Sequence, residues 1–105
     1  MNQQTSSPQA DLQAAEDAMR DAIRTPDAIT TPDAGSLDRM LVHVINMREA
    51  ISSSPERHVN VVKRLNDFAL TTNRMMSRHP GATPQLARVS EALRTASQSL
   101  QASFG

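Results

Sequence analysis

The sequence contains no cysteine, tryptophan or tyrosine, and Phe68 and Phe104 are its only Phe, Trp or Tyr residues. Without cysteine there is no disulfide scaffold, no thiolate metal site and no thiol nucleophile. Without large aromatics, a core has to be built from aliphatic and methionine side chains. Three glycines in the whole chain are too few for a phosphate-cradling loop, and GxGxxG, GKS/GKT and GxSxG patterns are missing. No apolar run approaches the ~20 residues of a membrane span; Met40-Leu41-Val42 is soon interrupted by His43. The opening residues, MNQQTSSPQA, lack the basic and apolar parts of a secretory signal peptide. The expected location is therefore the cytoplasm, or beyond it by a route that reads no cleaved signal.

What is present is punctuation. Five of the six prolines follow Ser or Thr: Ser7-Pro8, Thr25-Pro26, Thr31-Pro32, Ser54-Pro55 and Thr83-Pro84. A Ser or Thr hydroxyl caps a free helix N–H, and proline suits the first helical position, where its missing donor would be unpaired anyway. Asp27, Asp33 and Glu56 follow three of these pairs and place negative charge at the positive end of the macrodipole. The pairs read as helix starts.

Apolar spacing fills in the helices. Residues 1–7 form a polar tail expected to be disordered. A weaker N-terminal helix is predicted over about 8–24, with Leu12, Ala15, Met19, Ala22 and Ile23 on one stripe. Being Ala-rich, it should form only when docked. Residues 25–35, TPDAITTPDAG, read as a linker, because two starts six residues apart cannot both open long helices. A helix over about 36–52 carries Leu37, Met40, Leu41, Val44, Met47 and Ile51 on one face. Another over about 55–78 carries Val61, Leu65, Phe68, Thr72 and Met75 at 4-3-4-3 spacing, flanked by Val62, Ala69 and Met76. The last, about 84–103, repeats 3-4-3-4 through Leu86, Val89, Leu93, Ala96 and Leu100. His79-Pro80-Gly81 ends the third helix, with glycine expected to supply a left-handed cap. The expected fold is all-α: an antiparallel hairpin of the last two helices completed by the others into a small up-down bundle, one domain over residues 8–105.

Charge adds a further constraint. The formal net charge is zero, but residues 1–35 hold six acids and two arginines, whereas residues 36–105 hold nine bases and five acids. Charges of −4 and +4 permit two readings: solvated faces of opposite sign, or an acidic segment laid on a basic body.

Chemistry-bearing groups are sparse. His58 and His79 share a helix face but stand about 31 Å apart along the axis, too far to hold one ion, and His43 is alone. Glu16, Asp17 and Asp21 pair with Arg20 and Arg24 at i,i+3 and i,i+4, as ordinary surface charges do. No catalytic, cofactor or metal-ligating residue is assigned, and no enzyme is expected. Nucleic-acid binding through Arg39, Arg48, Arg57, Lys63, Arg64, Arg74, Arg78, Arg88 and Arg94 is the alternative, that of a nucleic-acid-associated regulator. The scatter of these bases and the lack of stacking aromatics count against it.

The polar, Ser/Thr/Gln-rich start and the hairpin turning at Arg78-His79-Pro80-Gly81-Ala82-Thr83-Pro84-Gln85-Leu86 resemble small α-helical proteins of bacterial type III secretion machines. These are the needle and inner-rod subunits and small co-chaperones. The resemblance covers residues 1–10 and 55–105. MNQQTSSPQA is similar in composition to the uncleaved export signals of such subunits. It implies a non-enzymatic assembly role with a protein partner or further copies of the chain. The helix after the turn is shorter than in needle subunits and their more specific turn pattern is not reproduced, so no functional residue transfers.

The third helix presents a face of roughly 140° at 100° per residue, wider than the stripe on the fourth. Part of it should meet the second helix, leaving a Met-rich edge at Met75 and Met76 for association. The expected interface residues are Met75, Met76, Phe68, Leu65, Met40 and Met47.

Overall fold

The computed structural model describes residues 7–24, 33–53 and 58–104. It contains α1 (Pro8–Arg24), α2 (Asp33–Ser53), α3 (His58–Arg78), a short 3-10 turn (Pro80–Ala82) and α4 (Thr83–Phe104). Among the described residues there is no strand, and the fold is all-α as the spacing predicts. No helix among them is long and apolar enough to cross a membrane.

Polar contacts at the helix ends fix the directions. Gln9 near the start of α1 reaches Ser52 near the end of α2. Arg78, last in α3, holds Asp33, first in α2. Ser103 at the end of α4 lies 3.5 Å from the ring of His58, first in α3. Arg88 in α4 faces Asp21 late in α1. Each neighbouring pair is therefore antiparallel, giving an up-down-up-down bundle in which α4 closes the ring onto α1.

The ring is uneven. The α3–α4 hairpin packs most extensively, α1 packs on both α4 and α2, and α2 and α3 touch only sparsely although they are consecutive. The core is a single cluster in which Leu12, Met19, Leu37, Leu65, Met75 and Leu93 are among the completely buried side chains. On α4 the buried face is wider than its aliphatic stripe, because Ser90 and Ser97 are buried as well. With α1 on one flank and α3 on the other, α4 needs two seams. Ala15 and Ala22 are buried on α1; such small side chains let helices approach closely while giving up little conformational entropy.

Punctuation holds in part. The Ser7 hydroxyl accepts the Ala10 N–H at 3.1 Å, as a cap before Pro8 should. Thr83 departs from the expectation: it is already helical, and its hydroxyl donates backward to the Pro80 carbonyl at 3.1 Å. The pairs at Thr25, Thr31 and Ser54, and the polar tail over residues 1–6, lie outside the described residues. Asp33 to Gly35, assigned above to the linker, form the first turn of α2. The Arg78 contact on Asp33 and the helix dipole together offset the glycine within that turn.

The stop after α3 also differs from expectation. Gly81 is not in the left-handed region, and a side chain there would meet nothing within 4 Å. The reversal is made by His79, with φ −134° and ψ 69°, and by Pro80 opening the 3-10 turn. The His79 N–H donates to the Met75 carbonyl and the His79 carbonyl accepts the Ala82 N–H. Gly81→Ala should therefore be tolerated, raising stability by about 0.4–1 kcal/mol through a less flexible unfolded chain. Chemical denaturation checks this; a loss of comparable size would show that the turn needs glycine.

Candidate functional site

Two polar clamps set the position of α2. The first is internal. Glu16 is fully buried, not the surface acid expected from its i,i+4 spacing to Arg20. Its carboxylate accepts two N–H bonds from Arg48 of α2, from Nε and, at 3.3 Å, from Nη2. Arg20 approaches the same carboxylate at 3.7 Å. This carboxylate holds the Arg48 guanidinium still more firmly protonated than usual. A buried carboxylate without such partners would be strongly disfavoured.

The second clamp is at the opposite end of α2. Asp33 accepts bonds from Arg78 at 2.9 and 3.2 Å and lies 2.7 Å from Nε2 of His79. His79 is buried. The Arg78 and His79 contacts hold the Asp33 carboxyl below its ordinary value of 3.8. With Asp21–Arg88, these contacts join acids of residues 1–35 to bases of residues 36–105. Among the described residues, three acids of the first segment thus face bases of the second within one chain.

α2 and α3 pack sparsely and, alongside the Arg48 end of α2, leave a groove of about 600 Å3. It is lined by His43, Asn46, Met47 and Ala50 of α2 and by Asn60, Val61 and Arg64 of α3. Met47 and Val61 are the buried members. Half-buried Phe68 stands one turn beyond Arg64, its ring 6.1 Å from that of His43 and tilted by 45°. A second depression of about 540 Å3 continues along α3 past Lys63, Asp67 and Phe68.

The expected interface residues are divided by this arrangement. Met47 lines the groove and Phe68 borders it. Leu65 and Met75 are completely buried, and Met40 nearly so. Met76 is partly buried and faces a separate shallow depression between α3 and α4, with Asn73, Ala87 and Ser90. Met75 and Met76 therefore do not form a common edge: one is core and the other lies at the α3–α4 seam. The exposed surface left by the broad face of α3 is on the α2 side. Asn46, Ala50, Asn60 and Arg64 were not singled out as interface residues from sequence, because each is a residue type common on solvated helix faces.

Among the described residues, no three His, Cys, Asp or Glu side chains converge as metal ligands. No family model, curated protein or solved structure matches the chain.

Two stability tests follow from the clamps. Arg48→Ala, which strands a buried carboxylate, should lower the thermal midpoint more than Glu16→Gln does. Replacing both residues by Met should recover most of the loss; if the double variant were as unstable as Arg48→Ala, the ion pair would be doing more than neutralising Glu16. Asp33 is tested by acid. Because its folded pKa is lowered, its contribution is present above the unfolded value and disappears as pH falls through the folded one. The stability difference between wild type and Asp33→Asn should thus shrink as pH falls below about pH 4. Denaturation curves across that range would show it, and a pH-independent difference would contradict it.

Proposed function

We propose that this chain is a non-enzymatic protein–protein interaction module and that its docking surface is the open side of the bundle between α2 and α3. The observation carrying this reading is the groove itself. In a bundle whose other neighbouring helices pack closely, α2 and α3 touch only sparsely, leaving Met47, Val61 and Phe68 beneath polar rims. Surface grooves with an apolar floor and convergent polar groups are favoured binding sites.

Charge pairing weighs against the nucleic-acid alternative. Of the bases that would carry it, Arg48, Arg78 and Arg88 face carboxylates of the same chain. Counterion release requires bases left available to phosphates. The more specific reading, a small subunit or co-chaperone of a type III secretion apparatus, is supported by the polar opening residues and the α3–α4 hairpin. In either setting the groove is the surface we assign to the partner.

Site-specific photo-crosslinking in the producing cell tests this. A photoreactive residue at Asn46 or Asn60 should give discrete protein adducts that Ala50→Trp, filling the groove, removes. The same group at Gln13, exposed on α1, should give none of them. Adducts of twice the chain's mass would identify the partner as a second copy. Equal labelling from Gln13, or insensitivity to Ala50→Trp, would overturn the assignment.

A further inference from the structure

We propose that α2 of one copy of this chain docks against α3 of the next, joining copies side by side in a level, head-to-tail row. The surfaces involved flank the groove without belonging to it, so the inference stands apart from whatever the groove holds.

Two outward stripes carry it. Counted at 100° per residue from the completely buried Val44, the sector of α2 that turns away from both core and groove holds Asp38, Val42, Ile45 and Glu49. Counted likewise from Leu65, the corresponding sector of α3 holds Lys63, Asn66, Leu70 and Arg74. The groove-lining His43 and Ala50, like Asn60 and Arg64, lie on the other flank of their helices. The α2 stripe contains no base and the α3 stripe no acid. Asp67 falls just outside the second, bordering the depression beside Phe68; Lys63 touches that depression too, and its long flexible stem reaches either way. Asp38, Lys63 and Arg74 form no ion pair among the described residues. Glu49 has only the field of Arg48, which Glu16 already holds. Val42 and Leu70 are each 51% exposed. Singly, such residues need no explanation. Their place between acids on one helix and bases on the other does.

The spacings match. From Asp38 to Val42 to Glu49 the steps are four and seven residues, and from Arg74 back to Leu70 and Lys63 they are the same. An antiparallel pairing of the stripes therefore sets Asp38 beside Arg74, Val42 beside Leu70 and Glu49 beside Lys63 together, over about 16 Å. That alignment is also the molecule's own. Within one chain Asp33 meets His79, and the ring of His43 lies against that of Phe68. Asp38 is five residues onward from Asp33, and Arg74 is five residues back from His79. The two stripes of one molecule thus stand at equal height, and a neighbour docks with no axial offset. Because α2 and α3 are antiparallel both within the chain and across the contact, every copy points the same way. The stripes face apart, so the contact is heterologous: each copy offers both halves, and the row continues or closes into a ring according to the rotation per copy.

Size sets the strength. Two helical stripes of three turns bury less than the interface of a stable dimer, and their charges are exposed and screened by salt. Each contact is therefore weak, with an expected dissociation constant of about 0.1–1 mM.

Sedimentation velocity of the full chain tests this. At up to about 1 mM protein and about 20 mM salt, wild type should form species larger than a dimer, which dissociate at about 0.5 M salt. The pair Asp38→Arg with Glu49→Arg, and the pair Lys63→Glu with Arg74→Glu, each give a chain whose two stripes carry one sign. Either alone should associate at least about tenfold more weakly. Their equimolar mixture should associate again, and a chain with all four reversals should behave as wild type. Ala50→Trp, on the groove side, should change nothing. All four reversed positions are exposed, and circular dichroism confirms that each variant keeps its helicity. A wild type that is monomeric throughout, an assembly that stops at two copies, or a mixture that stays dissociated would overturn the proposal.

Discussion

A carboxylate completely enclosed by a helical bundle has few stable arrangements, and Glu16 fixes the one adopted here. It sits on the face of α1 that also buries Leu12, Ala15 and Met19, so it cannot swing to solvent without lifting that face. Arg48 comes to it, and α2 comes with Arg48. A buried ion pair contributes little net stability compared with apolar side chains of the same volume, but it penalises every register that separates its partners. Here the register it selects draws α2 toward α1. At its other end α2 is tied to α3 through Asp33 and Arg78, so the groove opens where α2 is drawn toward α1.

How far this was legible in the sequence depended on which physical signal each part leaves. Helix identity and direction came from aliphatic spacing, and the seams of α3 and α4 were readable because Leu65, Leu86, Leu93 and Leu100 do little but pack. The wider buried face of α4 was not, since Ser90 and Ser97 look like solvated residues until two helices close around them. The start of α2 was set too late because two TPDA segments six residues apart compete as starts, and the sequence does not say which one opens the helix. Its side-chain anchors lie about 45 residues onward in Arg78 and His79. Tertiary contacts of that kind override propensity.

The outward face of α3 was legible in outline. The breadth of the apolar face on α3 did indicate more than one neighbour. Met75 and Met76, expected as one Met-rich edge because together they cover a wide arc, are divided between core and seam. Successive helical residues point about 100° apart, so Met75 turns into the core while Met76 lies at the α4 seam. The segregation of charge was the more reliable guide. Three of the six acids in residues 1–35 pair with bases of residues 36–105, at Glu16–Arg48, Asp33–Arg78 and Asp21–Arg88.

Closure of the ring by α1 and α4 has a consequence for anything joined to this protein. Pro8 lines the same surface depression as Ala102 and Ser103, and the antiparallel order puts the end of α2 and the start of α3 at that pole too. The groove, lined from Asn46 to Ala50 and from Asn60 to Arg64, opens near it. Pro8 and Ser103 thus share a pole with the groove but lie on the opposite, α1–α4 face of the bundle. A tethered segment samples such a site at an effective concentration that reaches millimolar for short flexible links. Contacts too weak to register between separate molecules would be saturated within one, and a fusion placed at either end would compete with ligands in solution.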